Sequence, residues 1–341
     1  MRGGGGGGGG IPIFISRRSI PLKFRQLSGG PSLKLKFLLS WSAVSFVLFL
    51  LLLPVLFIGA GRWRRPSHLT ASPPPPGKGY TILINTWKRN DLLKQSVTHY
   101  ASCVGVESIR VVWSEHDRPS DSLQDALWQS VQKSSKRCDD IELKFDLHEE
   151  NSLNNRFKQV EGLKTDAVFS VDDDVLFPCA SMELAFSAWQ SAPTAMVGFV
   201  PRMHWMDKMA GTNKEYYKYG GWWSVWWKGT YSMVLSKATF FHKKYLYMYT
   251  NHMPASIRNY VTKYRNCEDI AMSFLVANTT RAPPIWVKGK IFEIGSSGIS
   301  SLGDHSEKRS HCLNLFANIY GHMPLVATSM KVIDSRHSWL W

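Results

Sequence analysis

Ala167-Val168-Phe169-Ser170-Val171 runs without a linker into Asp172-Asp173-Asp174. The first five residues are β-prone and almost wholly apolar, the pattern of a strand buried on both faces. Working outward, residues 80–86, 108–114 and 141–147 read as three earlier strands. Between them, residues 90–100 and 123–131 carry apolar side chains at helical spacing, and residues 154–163 suggest a third helix before the acidic strand. Strands alternating with helices predict an α/β fold, a doubly wound, mostly parallel sheet. Ligands of such sheets bind beyond the carboxyl ends of the strands, which is where the three aspartates fall. Beyond residue 200 the pattern is less regular, with a strand expected over 231–235 and a periodic helix over 269–277.

Adjacent carboxylates at the end of an apolar strand repel one another and call for a cation. Hard oxygen ligands suit Mg²⁺ or Mn²⁺, ions that bridge carboxylates to a diphosphate. A solvated acidic turn is the plainer alternative. A second candidate is Asn266-Cys267-Glu268-Asp269, where two acids open an apolar helix; helix capping alone would account for them. Arg309, three residues before Cys312, is a third, and an ordinary surface arginine is its alternative. Gly220-Gly221-Trp222-Trp223-Ser224-Val225-Trp226-Trp227-Lys228-Gly229 places four tryptophans within six residues between glycines. It reads either as a mobile aromatic loop beside a sugar or lipid site or as buried core. The body has no dinucleotide fingerprint, no Walker loop, no zinc-protease spacing and no nucleophile elbow.

The chain of 341 residues carries a formal charge of +15 from 41 basic and 26 acidic side chains. Residues 1–80 hold eleven of the basic residues and no acid, so the remainder is nearly balanced at +4. Nucleic-acid binding needs a clustered basic face and is not expected of the body. Residues 37–60 are apolar apart from three serines and uncharged. At 1.5 Å per residue they span roughly 36 Å, enough to cross a ~30 Å hydrocarbon core. Seven basic residues precede this stretch and four follow it, which favours a cytosolic N-terminus. The organisation expected is a cytosolic tail (1–36), a transmembrane helix (37–60), a flexible Ser/Pro/Gly stem (61–79) and a lumenal body (80–341): a type II membrane protein. All five cysteines and the single sequon, at Asn278, lie beyond the anchor, as an oxidising lumen permits.

The combination TWKRNDLL at 86–93, the three aspartates, GTYSMVL at 229–235, NCEDIAM at 266–272 and the Arg309/Cys312 pair resembles the exostosin-like glycosyltransferases of family 64. The resemblance covers residues 80–341 and is strongest to the plant glycosyl inositol phosphorylceramide mannosyltransferases. It implies a GT-A nucleotide-sugar-binding fold, Mn²⁺ dependence, a Golgi membrane location and retention at the anomeric carbon. Carried over, it makes Arg89 a nucleotide contact, Asn151 and Arg156 donor-binding residues, Asp172 and Asp173 contacts to ribose and sugar, and Asp174 the metal ligand. Asp269 becomes the catalytic acid with Glu268 beside it, Arg309 lies near the donor diphosphate, and Cys267 pairs with Cys312. Three positions depart from the animal pattern: Asn85 replaces Gln, Ser114 replaces Asn and Glu268 replaces Asp. They touch sugar and base contacts, and the tryptophan-rich segment is likewise absent from the animal pattern.

The function expected is transfer of a hexose, mannose from GDP-mannose, to a glycosyl inositol phosphorylceramide sphingolipid headgroup. An N-acetylhexosaminyltransferase acting on a proteoglycan-type glycan is the alternative enzyme. A catalytically silent sugar- or lipid-binding membrane protein is the alternative from another class. Whether Asp269 is a nucleophile or an electrostatic stabiliser stays open at this stage.

Overall fold

The first strand of the body, β1 (Tyr80–Thr86), is buried on both faces, as its near-continuous apolar sequence requires. It sits between β2 (Val106–Trp113) and β4 (Ala167–Asp172), parallel to both, and β2 pairs in parallel with β3 (Glu142–Leu147). These relationships come from a computed structural model, which describes residues 79–135, 141–208, 215–295 and 305–335. The expected tail, the apolar stretch 37–60 and nearly all of the stem lie outside the described residues, as does Cys138. Among the described residues no helix is long and apolar enough to cross a membrane.

Among the described residues the main sheet has eight strands. Beyond β4 it continues through β10 (Ala238–His242), β6 (Val197–Gly198), β11 (Ile285–Val287) and β13 (Lys331–Val332). Only β10 runs against its neighbours, so the sheet is mostly parallel, as the sequence pattern predicts. The chain moves outward from β1 through β2 to β3, then returns to the other side of β1 as β4. That reversal opens a crevice at the carboxyl ends of β1 and β4, where Asn85 and Asp172 are register partners.

Helices cover both faces. Helix α1 (Asn90–Ala101) and α2 (Asp121–Ser134) pack together, and α2 is capped by Ser120, whose hydroxyl accepts from the Leu123 amide. With α3 (Cys179–Ser191) they enclose one core, which takes Tyr80, Ile82 and Ile84 from β1 and Phe169 and Val171 from β4. The alternate residues Leu83 and Val168 enter a second core. A disulfide between Cys103 and Cys179, with Cα atoms 5.1 Å apart, ties the end of α1 to the start of α3.

The irregular half supplies the other wall of the crevice. β7 (Pro201–Lys208) pairs with β8 (Glu215–Gly220), and α4 (Trp222–Lys228) follows at once. β7 also pairs with β9 (Met233–Val234). Helices α5 (Lys244–Asn251), α6 (Ala255–Tyr264), α7 (Glu268–Thr280) and α8 (His305–Tyr320) build the second core. A ribbon of β5 (Val175–Leu176) and β12 (Phe292–Glu293) closes the crevice beside the aspartates.

Three local expectations need correction. The helix expected over 154–163 is only a 3-10 turn, Leu153–Phe157. Its polar side chains point inward and are spent on tertiary bonds: Asn154 Nδ2 donates to the Arg258 carbonyl and Arg156 to Asp172. Such side chains compete with a helix rather than extend it. The strand expected over 231–235 is reduced to Met233–Val234, because Tyr231 turns to bridge with Thr328. The tryptophan-rich segment is neither a loop nor core. It is a short helix held by Gly220 and ended by Gly229 at φ +68, and only Val225 is buried.

Candidate active site

The crevice is a cleft of about 590 Å³. Of the residues singled out in the sequence, Asn85, Arg89, Ser114, Asn151, Arg156, Asp172, Asp174, Glu268, Asp269 and Arg309 all line it. They come from six regions distant in sequence: the ends of β1, β2 and β4, the turn at 151–156, the start of α7 and the first turns of α8.

Three arginine–carboxylate pairs organise this wall. Arg156 donates to Asp172 at 2.6 Å and also to the Ser236 hydroxyl at 3.2 Å. Arg89 lies on Asp174 at 2.8 Å and is also ion-paired with Asp173. Arg309 donates to Asp269 at 2.7 Å and to the Tyr219 hydroxyl at 3.1 Å. The three aspartates therefore do not act alike. Asp172 and Asp174 face the cleft, whereas Asp173 is fully buried and off its wall, accepting from the Thr86 hydroxyl at 2.7 Å. Burial, reinforced by its acidic neighbours and opposed by Thr86 and Arg89, pushes the Asp173 carboxyl up to about 6. In this structure Asp173 holds the loop after β1 rather than facing the space a donor would fill.

The second acidic pair sits where α7 begins. Cys267 takes a left-handed conformation (φ 71), uncommon for a residue with a side chain, and its disulfide to Cys312 joins the start of α7 to the middle of α8. The junction turns Glu268 and Asp269 into the protein beside Arg309. Asp269 is more than a helix cap. Burial would raise its carboxyl, but Arg309 and the Ile270 amide outweigh burial and hold it below the usual aspartate range. Glu268 is moved the opposite way, up to about 7, first by burial and then by the charge of Asp269. The two neighbouring acids are thus shifted in opposite directions, the kind of arrangement that separates acid and base roles at active sites.

Residues 80–339 match the Glycosyl transferase family 64 domain. The chain belongs to glycosyltransferase family 64. Within family 64 it is 63% identical over 264 residues to glycosylinositol phosphorylceramide mannosyl transferase 1 of Arabidopsis thaliana, covering 77% of this chain and 79% of that one. It is 33% identical over 266 residues to human exostosin-like 2, covering 74% and 76% of the two chains. Human exostosin-2 is 33% identical over 286 residues, which span 81% of this chain but only 36% of that longer protein. As a family 64 glycosyltransferase, this chain is an enzyme acting on a nucleotide-sugar donor.

The family 64 cleft has further lining residues that the sequence reading missed. Tyr219 and Arg202 come from the β7–β8 hairpin, Ser236 follows β9, and Arg265 stacks on Trp87 at 5.5 Å. Trp87 and Ser236 lie in or beside segments already recognised, so their neighbours were the available signal. Tyr219 carries no sequence signal of its own; only the fold brings it to Arg309. Ser114, an expected departure from the animal pattern, accepts from Asn155 at 3.0 Å and faces the cleft. Asn278 lies in the last turn of α7, away from the cleft, half-buried and followed by exposed Thr279.

Proposed function

We propose that this chain transfers mannose from GDP-mannose, with retention of anomeric configuration, to the headgroup of a glycosyl inositol phosphorylceramide. The observation that carries the reading is the gathering of three arginine–carboxylate pairs in one cleft at the sheet's switch point. Such a site can receive a diphosphate with cations and a developing positive sugar with an ionised acid. The choice of mannose and of a sphingolipid acceptor is supported by the name and 63% identity of the Arabidopsis relative.

The chemistry of the wall fits a divalent cation. Asp174 offers a hard carboxylate oxygen at the cleft surface, with Asp172 beside it. Gly295 keeps the space next to it open, since a Cβ there would come within 2.7 Å of the Asp174 Cβ. Asp174 would hold Mn²⁺, assisted by Asp172. Bound Mn²⁺ would neutralise negative charge gathering on the leaving diphosphate. Arg309, Arg156 and Arg89 offer planar guanidinium forks suited to phosphate oxygens. Asp269, kept ionised by Arg309, either stabilises positive charge at the anomeric carbon or attacks it. Glu268, protonated at mildly acidic pH, has a proton to donate to a sugar hydroxyl.

In this reading residues 37–60 anchor the enzyme in the Golgi membrane with the body lumenal. The seven-to-four basic bias across that stretch supports the orientation, and the two disulfides of the body suit an oxidising lumen. The test is a donor screen on the purified full-length chain with Mn²⁺ and glycosyl inositol phosphorylceramide, the product's anomeric configuration being read by NMR. Transfer of mannose alone, with retention, is the expected result. Transfer from a UDP-N-acetylhexosamine instead would favour an exostosin-type activity, and donor binding without turnover would favour a silent binding protein.

A further inference from the structure

Helix α4 exposes an unusual set of side chains. Trp222, Trp223, Trp226 and Trp227 are 47%, 75%, 63% and 80% exposed. The spacings 222/226 and 223/227 place them in two adjoining rows of one outer face. Their rings touch one another, with Trp223–Trp226 centroids at 6.1 Å and Trp226–Trp227 at 6.2 Å. The patch continues from Trp222 to Trp286 at 5.6 Å and on to the exposed Met330 beside Lys331. Proteins that remain alone in water rarely present so large an apolar surface.

The helix is built to hold that face outward. A Cβ at Gly220 would lie 2.6 Å from the Met203 side chain and 2.7 Å from Ser224, so only glycine lets α4 sit this closely on β7. At its other end Gly229 supplies the left-handed residue that stops the helix. Tyr219, three residues before α4 begins, is part of the cleft wall and contacts Arg309. The exposed patch and the active site are therefore rigidly joined through one short strand.

We propose that α4 docks this enzyme onto the surface of a lipid bilayer. Three observations favour a bilayer over a protein partner. The residues are almost purely tryptophan, the side chain that settles at the headgroup level, while the one aliphatic residue of α4, Val225, is buried. Cations border the patch: Lys228 lies over Trp205 and Lys331 over Trp286, suited to lipid phosphates. Asp207, the nearby acid of β7, is ion-paired with Lys218. Finally, nineteen residues separate the apolar stretch 37–60 from β1. A linker of that length reaches at most about 65 Å, so an anchored body stays close to a membrane. Docking through α4 would hold the cleft mouth beside the headgroups from which a lipid acceptor is drawn, a consequence that rests on the sphingolipid reading above.

The test uses the full-length chain, with Cys138→Ser, reconstituted in vesicles of phosphatidylcholine with one-third phosphatidylserine. A nitroxide is attached at Trp226→Cys, or at Lys133→Cys on α2 near the opposite edge of the sheet. The expected result is an oxygen-to-nickel accessibility ratio several-fold higher at 226 than at 133. Equal ratios overturn the proposal. So does a label at 226 shielded from both reagents, which would mean that a second copy or another protein covers the face. A second arm replaces Trp223, Trp226 and Trp227 by Gln. Transfer to vesicle-embedded acceptor should fall about tenfold, with transfer to the water-soluble headgroup glycan unchanged; equal loss on both also overturns it. The accessibility measurement needs no turnover, so a failed donor assignment and a failed docking assignment give different results.

Discussion

Arg309 and Asp269, forty residues apart in sequence, share a 2.7 Å hydrogen bond with side chains only 9% and 5% exposed. A buried pair of this kind adds little net stability, but removing one partner leaves a buried charge and costs roughly 3–5 kcal/mol. Asp269→Asn keeps the shape and removes the negative charge. Transfer should fall by at least about 10²–10³-fold, the scale of losing a preorganised electrostatic group. Donor affinity, measured by calorimetry with Mn²⁺ present, should change only a few-fold. Equal losses in both would reduce Asp269 to a structural cap.

The space beside Asp174 makes a separate claim about metal. Chelation should abolish transfer, and added Mn²⁺ should restore it. Gly295→Ala puts a methyl group against the Asp174 side chain, an overpacking that costs about 1–3 kcal/mol. Mn²⁺ affinity, read by the loss of its free-ion electron spin resonance signal, should drop roughly tenfold or more. Unchanged Mn²⁺ binding in Gly295→Ala and in Asp174→Ala would place the metal elsewhere.

The parallel half of the fold was legible because its strands are continuous apolar runs separated by helical periods. Tyr80–Thr86 and Ala167–Asp172 could be read directly, and with them the place of the acids. The acidic site residues were legible because charges at the end of an apolar strand are locally costly. The roles within Asp172-Asp173-Asp174 were not, since only the path of the chain after β4 decides which carboxylate turns inward. Tyr219 and the outward face of α4 were hidden for a related reason. Aromatic residues signal burial equally well whether they fill a core, line a cleft or wait for a partner. Residues 154–163 misled because Phe157, Val160 and Leu163 sit at helical spacing, whereas Asn154 and Arg156 before them are tied inward by tertiary bonds.

The two disulfides should differ in what their loss does. Cys103–Cys179 closes a loop of 76 residues and does not line the cleft, and Cys267–Cys312 closes one of 45 beside the cleft residues Glu268 and Asp269. Loop-closure entropy alone favours each by roughly 4 kcal/mol. Cys103→Ala/Cys179→Ala should therefore lower Tm with kcat nearly unchanged. Cys267→Ala/Cys312→Ala should lower Tm and also reduce kcat by about tenfold or more, because Cys267 fixes the turn that aims Glu268 and Asp269. Thermal denaturation and initial rates at 25 °C separate the two effects.

Glu268 sets a pH dependence of stability with a definite sign. Its carboxyl is raised from 4.5 to about 7 in the fold, so between those values the folded chain binds more protons than the unfolded one. Its contribution is most favourable below about pH 4.5 and is lost as pH rises through 7, a change of about 3 kcal/mol at most. Asp269 works in the other direction and in another window. Its lowered carboxyl favours the fold above the ordinary aspartate range and loses that effect only as pH falls below it. Glu268→Gln mimics the protonated acid. Its stability should match the parent near pH 4 and exceed it by a few kcal/mol at pH 8, as measured by urea denaturation across that range. A constant difference between pH 5 and 8 would mean that Glu268 is already ionised in the folded protein at pH 5.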